Sequence, residues 1–303
     1  MNYTYFILII IVISIIISVS NSLNINSSIY NFNLNPDSKL CHFENNTNDY
    51  VRIFTYIHSS PSSFKKRMFI RESWTSRSHF NYIRVMFVMG ISSNKQINEQ
   101  LLLESNIYND ILIGNFNDTY RNLTHKCVIS LKWINQNCRD IDFIIKADDD
   151  TVFNIPVLHA YLNALKLTNA KKSIVCHGYK KTKIVRDPKK KWYVSKSELS
   201  GSFYLPYCVG FGLAMTFDLV DPMLNAINHT PFFWIDDYFL FGLIANKVKA
   251  SHLFQNSKFI LFTKFLNKLL FNKKNVAKIN HFAFHADKNV TLMFQIWKKL
   301  KIV

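Results

Sequence analysis

The sequence lacks the short-range spacings that mark zinc sites and nucleic-acid-binding motifs. None of its cysteines forms a CxxC pair, which argues against zinc, and no helix-turn-helix or zinc-finger spacing occurs. Because the lysines are spread over many segments, nucleic acid is the weakest candidate partner. No internal repeat is present. The cysteines allow two disulfides and one remaining thiol, among Cys41, Cys127, Cys138, Cys176 and Cys208.

Negative charge is also scarce. The chain has 20 Asp and Glu residues against 37 Lys and Arg residues, which gives a formal net charge of +17. This excess implies an anionic partner: nucleic acid, an anionic membrane or a phosphorylated substrate. Hydrophobic residues make up 49% of the 303 positions and aromatic residues 15%. The chain is therefore not disordered, and it can bury one substantial core as one large domain or two small ones.

No Lys or Arg precedes the apolar run at residues 3–19, so flanking charge does not orient this run across a membrane. Its length lies between the roughly 17 to 25 residues of a transmembrane helix and the roughly 7 to 15 of a signal-peptide core. We expect residues 1–20 to be a signal-anchor segment or a signal peptide, and the Asn- and Ser-rich residues 21–48 to be a flexible stem. Both alternatives direct the remaining chain to the lumen. Six glycosylation sequons agree, at Asn26, Asn45, Asn117, Asn122, Asn228 and Asn289.

From residue 49 onward, strand-like and helical patterns alternate. Apolar strand-like runs begin at Val51, Ile83, Asp110 and Phe143, and a helical pattern follows each of the first three. The clearest helix spans residues 118–137, where one apolar face recurs at steps of three and four residues. This alternation predicts an α/β fold for residues 49–303, with a Rossmann-like, mixed and mostly parallel sheet flanked by helices.

Three consecutive carboxylates, Asp148, Asp149 and Asp150, directly follow the apolar run that begins at Phe143. In an open α/β sheet, ligands collect at the carboxyl ends of the strands, which is where these aspartates would project. Adjacent like charges repel one another, so a hard divalent cation is their natural neutraliser. The alternative is a solvated acidic turn. The strand in front of the aspartates favours a metal-bound phosphate.

Several basic residues are candidates for contacting such a phosphate. Arg67 and Arg71 lie four residues apart, so on a helix they would share one face and could both meet a diphosphate. Lys65 and Lys66 are expected to be solvated. Lys126 lies on the same predicted helix as Asp118, and it faces either the same cleft or the solvent.

Six ordered blocks between Arg52 and Trp297 resemble the β-1,3-glycosyltransferase family, the Fringe-related galactosyl- and N-acetylglucosaminyltransferases of GT-A fold. Their joint order and spacing carry the resemblance. The blocks are residues 66–74 (KRMFIRESW, with Ser73 where Thr is usual), 87–90 (FVMG), 110–126 (with Asn115 in place of Asp), 146–150 (KADDD), 204–210 (YLPYCVG, with one inserted residue) and 236–242 (DDYFLFG).

The resemblance implies metal-dependent transfer of galactose or N-acetylglucosamine from a UDP-sugar to a glycan hydroxyl, in β-1,3 linkage and with inversion at the anomeric carbon. It implies Mn²⁺, held by Asp150 and Asp148 with His285 as a further ligand, and imidazole suits Mn²⁺ better than Ca²⁺. The UDP-sugar would contact Asp148 and Asp149 together with Arg67, Arg71 and Lys126. The acceptor side would be formed by Trp192, Tyr193, Tyr207, Gly210 and Trp234.

An inverting reaction needs a base that removes the proton of the acceptor hydroxyl. The resemblance gives this role to Asp237, and its neighbour Asp236 is the alternative, since two adjacent carboxylates disfavour double ionisation. The surrounding aromatic residues would provide a partly dry site. The two acids could instead cap the helix predicted from Tyr238 to Ala245.

The resemblance also implies a cellular context: a single-pass type II protein of the Golgi membrane, with a lumenal catalytic domain that acts on the glycan of a glycoprotein or glycolipid. The alternative is a lumenal glycan-binding or chaperone-like relative that has lost catalysis, because fold alone does not establish activity. The presence of Asp150 and Asp237 argues against that alternative.

Overall fold

The computed structural model describes residues 30–43, 51–266 and 279–300. The segment expected to be a membrane anchor or signal peptide, residues 1–20, lies outside these ranges. Among the helices within them, none is long and apolar enough to cross a membrane.

The described residues form a large central sheet and two small sheets. The large sheet has eight strands in the order β1-β4-β3-β2-β5-β10-β7-β11. The strands are β1 (Phe32–Leu34), β2 (Ile53–His58), β3 (Ile83–Ile91), β4 (Ile111–Asn117), β5 (Phe143–Asp148), β6 (Thr151–Phe153), β7 (Ser173–Tyr179), β8 (Thr182–Lys183), β9 (Phe203–Tyr204), β10 (Tyr207–Thr216), β11 (Ser251–Phe254), β12 (Phe259–Ile260) and β13 (Ala283–His285). Strands β4, β3, β2 and β5 are parallel neighbours, whereas β1 and β10 run antiparallel to theirs. The predicted mixed, mostly parallel sheet is confirmed.

Helices cover both faces of this sheet. They are α1 (Phe64–Glu72), α2 (Lys95–Tyr108), α3 (Leu123–Asn137), α4 (Ile155–Leu167), α5 (Val220–Asn228), α6 (Asp236–Tyr238, continued by a π-helical turn at Phe239–Ile244 and by Ala245–Lys247) and α7 (Val290–Leu300). All six residues of β2 are buried because the strand lies in the middle of the sheet and both of its faces are covered. Phe54 and Tyr56 join the core that contains α3 and α6, while Ile53 and Ile57 join the core that contains α1 and α7.

Residues 30–43 belong to the folded domain, although the sequence placed them in a flexible stem. Strand β1 pairs with β4, and Leu40 and Cys41 are buried. Cys41 forms a disulfide with Cys138. The folded domain therefore begins before residue 49, the boundary expected from the sequence. The sequence did not show this because β1 has only three residues, too few for a periodic pattern, and the disulfide partner of Cys41 follows 97 residues later.

The other cysteines complete the predicted pattern. Cys176 and Cys208 form a second disulfide, which joins β7 to β10, and Cys127 is a buried free thiol on α3. Two disulfides and one remaining cysteine were expected, and this expectation is confirmed.

A three-stranded sheet in the order β12-β13-β6 positions the residues that follow β5. Strand β13 pairs antiparallel with β6, and His285 lies opposite Thr151. This pairing brings the end of β13 next to the three consecutive aspartates. A second small sheet joins β8 to β9 and closes the base of the segment between them.

Candidate functional site

The three consecutive aspartates at the end of β5 point to different partners. Asp148 is partly exposed, and its Oδ1 accepts a hydrogen bond from Lys146 Nζ at 2.7 Å. Asp149 is turned towards α1, where its Oδ1 lies 2.7 Å from Lys66 Nζ and its Oδ2 accepts from Ser59 Oγ at 3.0 Å. The expectation that Lys66 is solvated was wrong, since its side chain is only 14% exposed. Asp149 therefore anchors the β2–α1 connection.

Asp150 instead faces β13. Its Oδ1 lies 3.4 Å from His285 Nε2, and its Oδ2 accepts a hydrogen bond from the Lys288 backbone N–H at 3.0 Å. Burial alone would raise the pKa of Asp150, but its close contact with His285 lowers it overall. Burial would likewise lower the pKa of His285, and Asp150 raises it. Each side chain therefore favours the charged form of the other.

The Asp150–His285 pair fits a divalent cation. Among the described residues, Asp150 Oδ1 is a buried oxygen without a hydrogen-bond partner, which is costly unless a cation or water completes it. A carboxylate oxygen and a neutral imidazole nitrogen are ligands that suit Mn²⁺. The geometry brings together two of the three residues predicted as metal ligands, while Asp148 is held by Lys146 at the edge of the pair.

Lys146 connects the aspartates of β5 with those of α6. It is 1% exposed, donates to the Gly210 carbonyl oxygen, and its Nζ lies 3.9 Å from Asp236 Oδ2. Burial would lower the pKa of this ammonium group, but the charges of Asp148, Asp236 and Asp237 raise it overall. Lys146 is therefore a permanent positive charge between the two groups of acids. Lys146 is not among the predicted site residues, although a lysine inside the buried strand β5 already indicates a buried charge that needs partners.

Asp236 and Asp237 form the first turn of α6. The N-cap position belongs to Ile235, whose apolar side chain cannot cap the helix, so side-chain capping does not explain the two acids. Burial and the charge of Asp236 raise the pKa of Asp237, and the backbone N–H of Gly210 hydrogen-bonds to it. A Cβ at Gly210 would lie 1.9 Å from Asp237 Oδ1. Glycine at this position lets β10 approach the Asp237 carboxylate without displacing it.

A cavity of about 800 Å³ opens beside these residues. His285 and Asp237 both line it, at the sites predicted for the metal and for the base. Its walls are rich in aromatic rings: Tyr179, Trp192, Tyr204, Tyr207, Tyr238 and Phe262. Its volume lies within the roughly 300 to 1,000 Å³ range of small-molecule sites. The cavity joins the two predicted centres in one space.

Two residues predicted on the acceptor side lie in this cavity, and three do not line it. Trp192 and Tyr207 are part of its wall, whereas Gly210 does not line it and lies against the Asp237 carboxylate. Trp234 is 6% exposed and lines a separate cavity of about 300 Å³, where Arg121 lies 4.3 Å above its ring. Tyr193 is partly buried outside the walls of both.

The basic residues predicted to bind the UDP-sugar are held by acids of the protein itself. Arg67 is 1% exposed and pairs with Glu104 of α2, with Nη2–Oε2 at 2.7 Å and Nε–Oε1 at 2.8 Å. Arg71 pairs with Asp110 through two hydrogen bonds of 2.8 Å. The two arginines share one helix face, as predicted, but this face packs against α2 and the start of β4.

Lys126 is likewise buried at 3% exposure. Its Nζ lies 2.8 Å from Asp118 Oδ2 and donates to the Ser59 carbonyl oxygen at 2.8 Å. Neither of the two expected positions, cleft or surface, describes it. Lys126 fastens α3 to the carboxyl end of β2.

A second group of metal-ligating residue types includes Asp236 itself. His58, Cys127 and Asp236 are all buried, and their donor atoms lie within 4.8 Å of one another. The two nitrogens of His58 face different partners, with Nε2 3.4 Å from Cys127 Sγ and Nδ1 3.8 Å from Asp236 Oδ2. Burial and the nearby Lys146 and Lys126 lower the pKa of His58 well below its usual value. The same positive charges, Lys146 and Lys126, oppose a cation at this point.

The chain is similar to known proteins in three comparisons. A family model described as Galactosyltransferase matches residues 65–255, which include Asp150 and Asp237 and end before His285. A lactosylceramide 1,3-N-acetyl-beta-D-glucosaminyltransferase A from Danio rerio is 30% identical over 205 residues, covering 64% of this chain and 54% of the relative. Beta-1,3-galactosyltransferase 1 from Homo sapiens is 29% identical over 206 residues, covering 67% of this chain and 62% of the relative.

The chain thus spans between 54% and 62% of the length of these relatives. Among solved structures, a mannosyltransferase from Pyrobaculum calidifontis in complex with GDP-Man and Mn²⁺ is 14% identical. The match covers 63% of this chain and 49% of that one, with a TM-score of 0.33.

Proposed function

The chain belongs to the galactosyltransferase family, and we propose that it is an inverting, metal-dependent hexosyltransferase of GT-A fold. It transfers galactose or N-acetylglucosamine from a UDP-sugar to a glycan hydroxyl in β-1,3 linkage. One observation carries the proposal: His285, paired with Asp150, and Asp237 open onto the same aromatic cavity. Leaving-group stabilisation and proton removal must act on opposite sides of one reacting carbon, so both centres need a common space.

On the donor side, Asp150 and His285 would hold Mn²⁺, with Asp148 beside them. The bound ion would act as the Lewis acid that neutralises the charge developing on the leaving diphosphate. Asp149 contributes indirectly, because it fixes the β2–α1 connection next to the pair through Ser59.

On the acceptor side, Asp237 would take the proton of the acceptor hydroxyl. Its raised pKa suits a base that must accept a proton near neutral pH. Gly210 and Lys146 restrict its position, since the first donates a backbone N–H to it and the second carries a nearby positive charge. Trp192 and Tyr207 offer aromatic faces for the apolar side of a sugar ring.

The proposal extends to the cellular setting. The two disulfides, Cys41–Cys138 and Cys176–Cys208, support an oxidising compartment. With the apolar run at residues 3–19, they favour a type II Golgi membrane protein whose catalytic domain is lumenal. The acceptor would be the glycan of a glycoprotein or glycolipid.

A screen of the full-length purified chain against a panel of UDP-sugars tests the proposal. UDP release is measured with Mn²⁺ and with excess chelator, in the presence and absence of simple glycan acceptors. We expect release with UDP-galactose or UDP-N-acetylglucosamine only when Mn²⁺ is present. Undiminished turnover in chelator would reject the metal role, and UDP binding without transfer to any acceptor would favour the catalytically lost relative.

A further inference from the structure

The segment between β8 and β9, residues 184–202, forms a closed loop that supplies one wall of the large cavity. One backbone hydrogen bond closes its base, from Ile184 N–H to Ser202 O at 3.0 Å, and a second closes residues 185–194, from Val194 N–H to Val185 O at 3.0 Å. Val185 and Trp192 line the cavity. The position of this wall depends on whatever holds the loop together.

Arg186 lies at the centre of the loop, and its guanidinium group binds the loop's own backbone. Nη1 donates to the carbonyl oxygens of Val194 and Ser195, each at 2.7 Å. Nη2 donates to Leu199 O at 2.6 Å and also to Gly201 O. All four acceptors are neutral carbonyl groups of residues 194–201, so the loop wraps around the planar guanidinium group.

Only arginine can make this set of contacts. A guanidinium group directs several N–H donors in one plane, whereas an ammonium group is a compact point charge with a different donor geometry. All four carbonyl groups come from residues 194–201 and converge on the guanidinium group of Arg186. The partial negative charges of these oxygens repel one another, and the guanidinium charge between them offsets this repulsion.

The loop in turn fixes Trp192. Trp192 Nε1 donates to Tyr120 Oη at 2.7 Å, and Lys191 Nζ lies 4.3 Å from the centre of the Tyr120 ring. These contacts join the loop to the segment before α3. Trp192 is exposed, so few neighbours hold it apart from this bond and the loop itself.

We infer that Arg186 is a positioning residue for the acceptor: it holds residues 184–202 in the shape that presents Trp192 to the acceptor sugar beside Asp237. The inference rests on the proposed function. Arg186 does not touch the Asp150–His285 pair, so its loss should affect acceptor use and leave donor use intact.

The test compares Arg186→Lys and Arg186→Ala in the full-length chain, with Lys196→Gln as the matched control. Lys196 is an exposed cation of the same loop. Three quantities are measured: kcat/KM for the acceptor, KM for the UDP-sugar, and UDP release without acceptor. We expect kcat/KM for the acceptor to fall about 10²-fold in both Arg186 variants, the size of effect that a displaced positioning group can have. Donor KM and acceptor-independent UDP release should stay within about twofold, below the tenfold scale of one lost interaction.

The possible outcomes distinguish a failure of the proposed function from a failure of the positioning role of Arg186. Absence of transfer by the wild type with every UDP-sugar would overturn the proposed function. If the wild type transfers sugar and Arg186→Lys matches it in kcat/KM for the acceptor, the positioning role is wrong. A parallel fall of acceptor use and acceptor-independent UDP release in Arg186→Lys would also overturn it, because that pattern indicates general loss of structure. Arg186→Lys keeps the charge and therefore decides the case even if Arg186→Ala does not fold.

Discussion

His285 Nε2 lies 3.4 Å from Asp150 Oδ1 because β13 pairs with β6 directly after the three aspartates. The two residues are far apart in the chain. Asp150 Oδ1 is buried and has no hydrogen-bond partner among the described residues. A cation at this point would satisfy both side chains.

Asp150→Asn should abolish the stabilisation of the protein by Mn²⁺ and UDP together. A ligand at 100 times its Kd stabilises the folded state by about 2.7 kcal/mol, which raises the Tm by several degrees. We expect this rise in wild type and in Asp140→Asn, whose carboxylate is 85% exposed near Arg52. The measurement is thermal unfolding with and without Mn²⁺ and UDP. An equal rise in Asp150→Asn would remove Asp150 from the metal site.

Gly210→Ala should inactivate the protein without unfolding it. The new Cβ would lie 1.9 Å from Asp237 Oδ1, and a flexible side chain can move aside at small cost. Displacing a catalytic base should lower turnover by about 10²- to 10⁴-fold. Lys95→Ala is the control, because Lys95 is 90% exposed on α2 and pairs with the exposed Glu99. Turnover and Tm are measured for both variants, and wild-type turnover in Gly210→Ala would show that Asp237 is not held at this point.

Arg67→Met should destabilise the fold more than it weakens UDP binding. It leaves Glu104, whose side chain is 3% exposed, without one of its two arginine partners. Removing one partner of a buried ion pair typically costs about 3 to 5 kcal/mol. Urea unfolding gives the free energy, and UDP titration of the folded variant gives the affinity. Unchanged stability with lost UDP affinity would return Arg67 to the diphosphate site expected from the helical spacing.

Arg67 and Arg71 show which features the sequence could predict and which it could not. The four-residue spacing correctly placed Arg67 and Arg71 on one helix face, because this relation is local. It could not reveal that α2 presents Glu104 to that face, since the contact depends on how two helices pack. The parallel strands and the position of Asp148, Asp149 and Asp150 at the end of β5 were predictable for the same local reason.

The features that the sequence did not predict depend on contacts between residues far apart in the chain. The pairing of β13 with β6, the disulfide that binds residues 30–43 to the domain, and the carbonyl groups around Arg186 each depend on the folded path of the chain. Lys146 is the exception. Its place between apolar residues of a buried strand was visible in the sequence and already indicated a paired, buried charge.

Turnover should rise with pH through the raised pKa of Asp237. Burial and Asp236 raise this pKa, so the carboxylate form that acts as base appears only at higher pH than for an ordinary aspartate. The folded state also holds this proton more tightly than the unfolded chain does. The contribution of Asp237 to stability is therefore largest below the usual Asp pKa and falls as pH rises towards the raised value.

Lys146→Met should shift this pH profile upward. The Lys146 charge lowers the pKa of Asp237, so its removal raises that pKa further. The control is Lys166→Met, which breaks an exposed pair with Asp142 away from the site. The measurement is kcat/KM against pH. A profile that moves to lower pH in Lys146→Met would contradict the assigned electrostatics.

The most direct test of the account compares sugar transfer by Asp237→Asn and Asp236→Asn in the full-length chain, with UDP affinity and Tm measured alongside. Each change keeps the shape of the side chain and removes its ability to accept a proton. If Asp237 is the base, Asp237→Asn loses about 10² to 10⁴ in turnover, while its UDP affinity and Tm stay near wild type and Asp236→Asn loses less. Small and equal losses in both variants at unchanged Tm would contradict the mechanism.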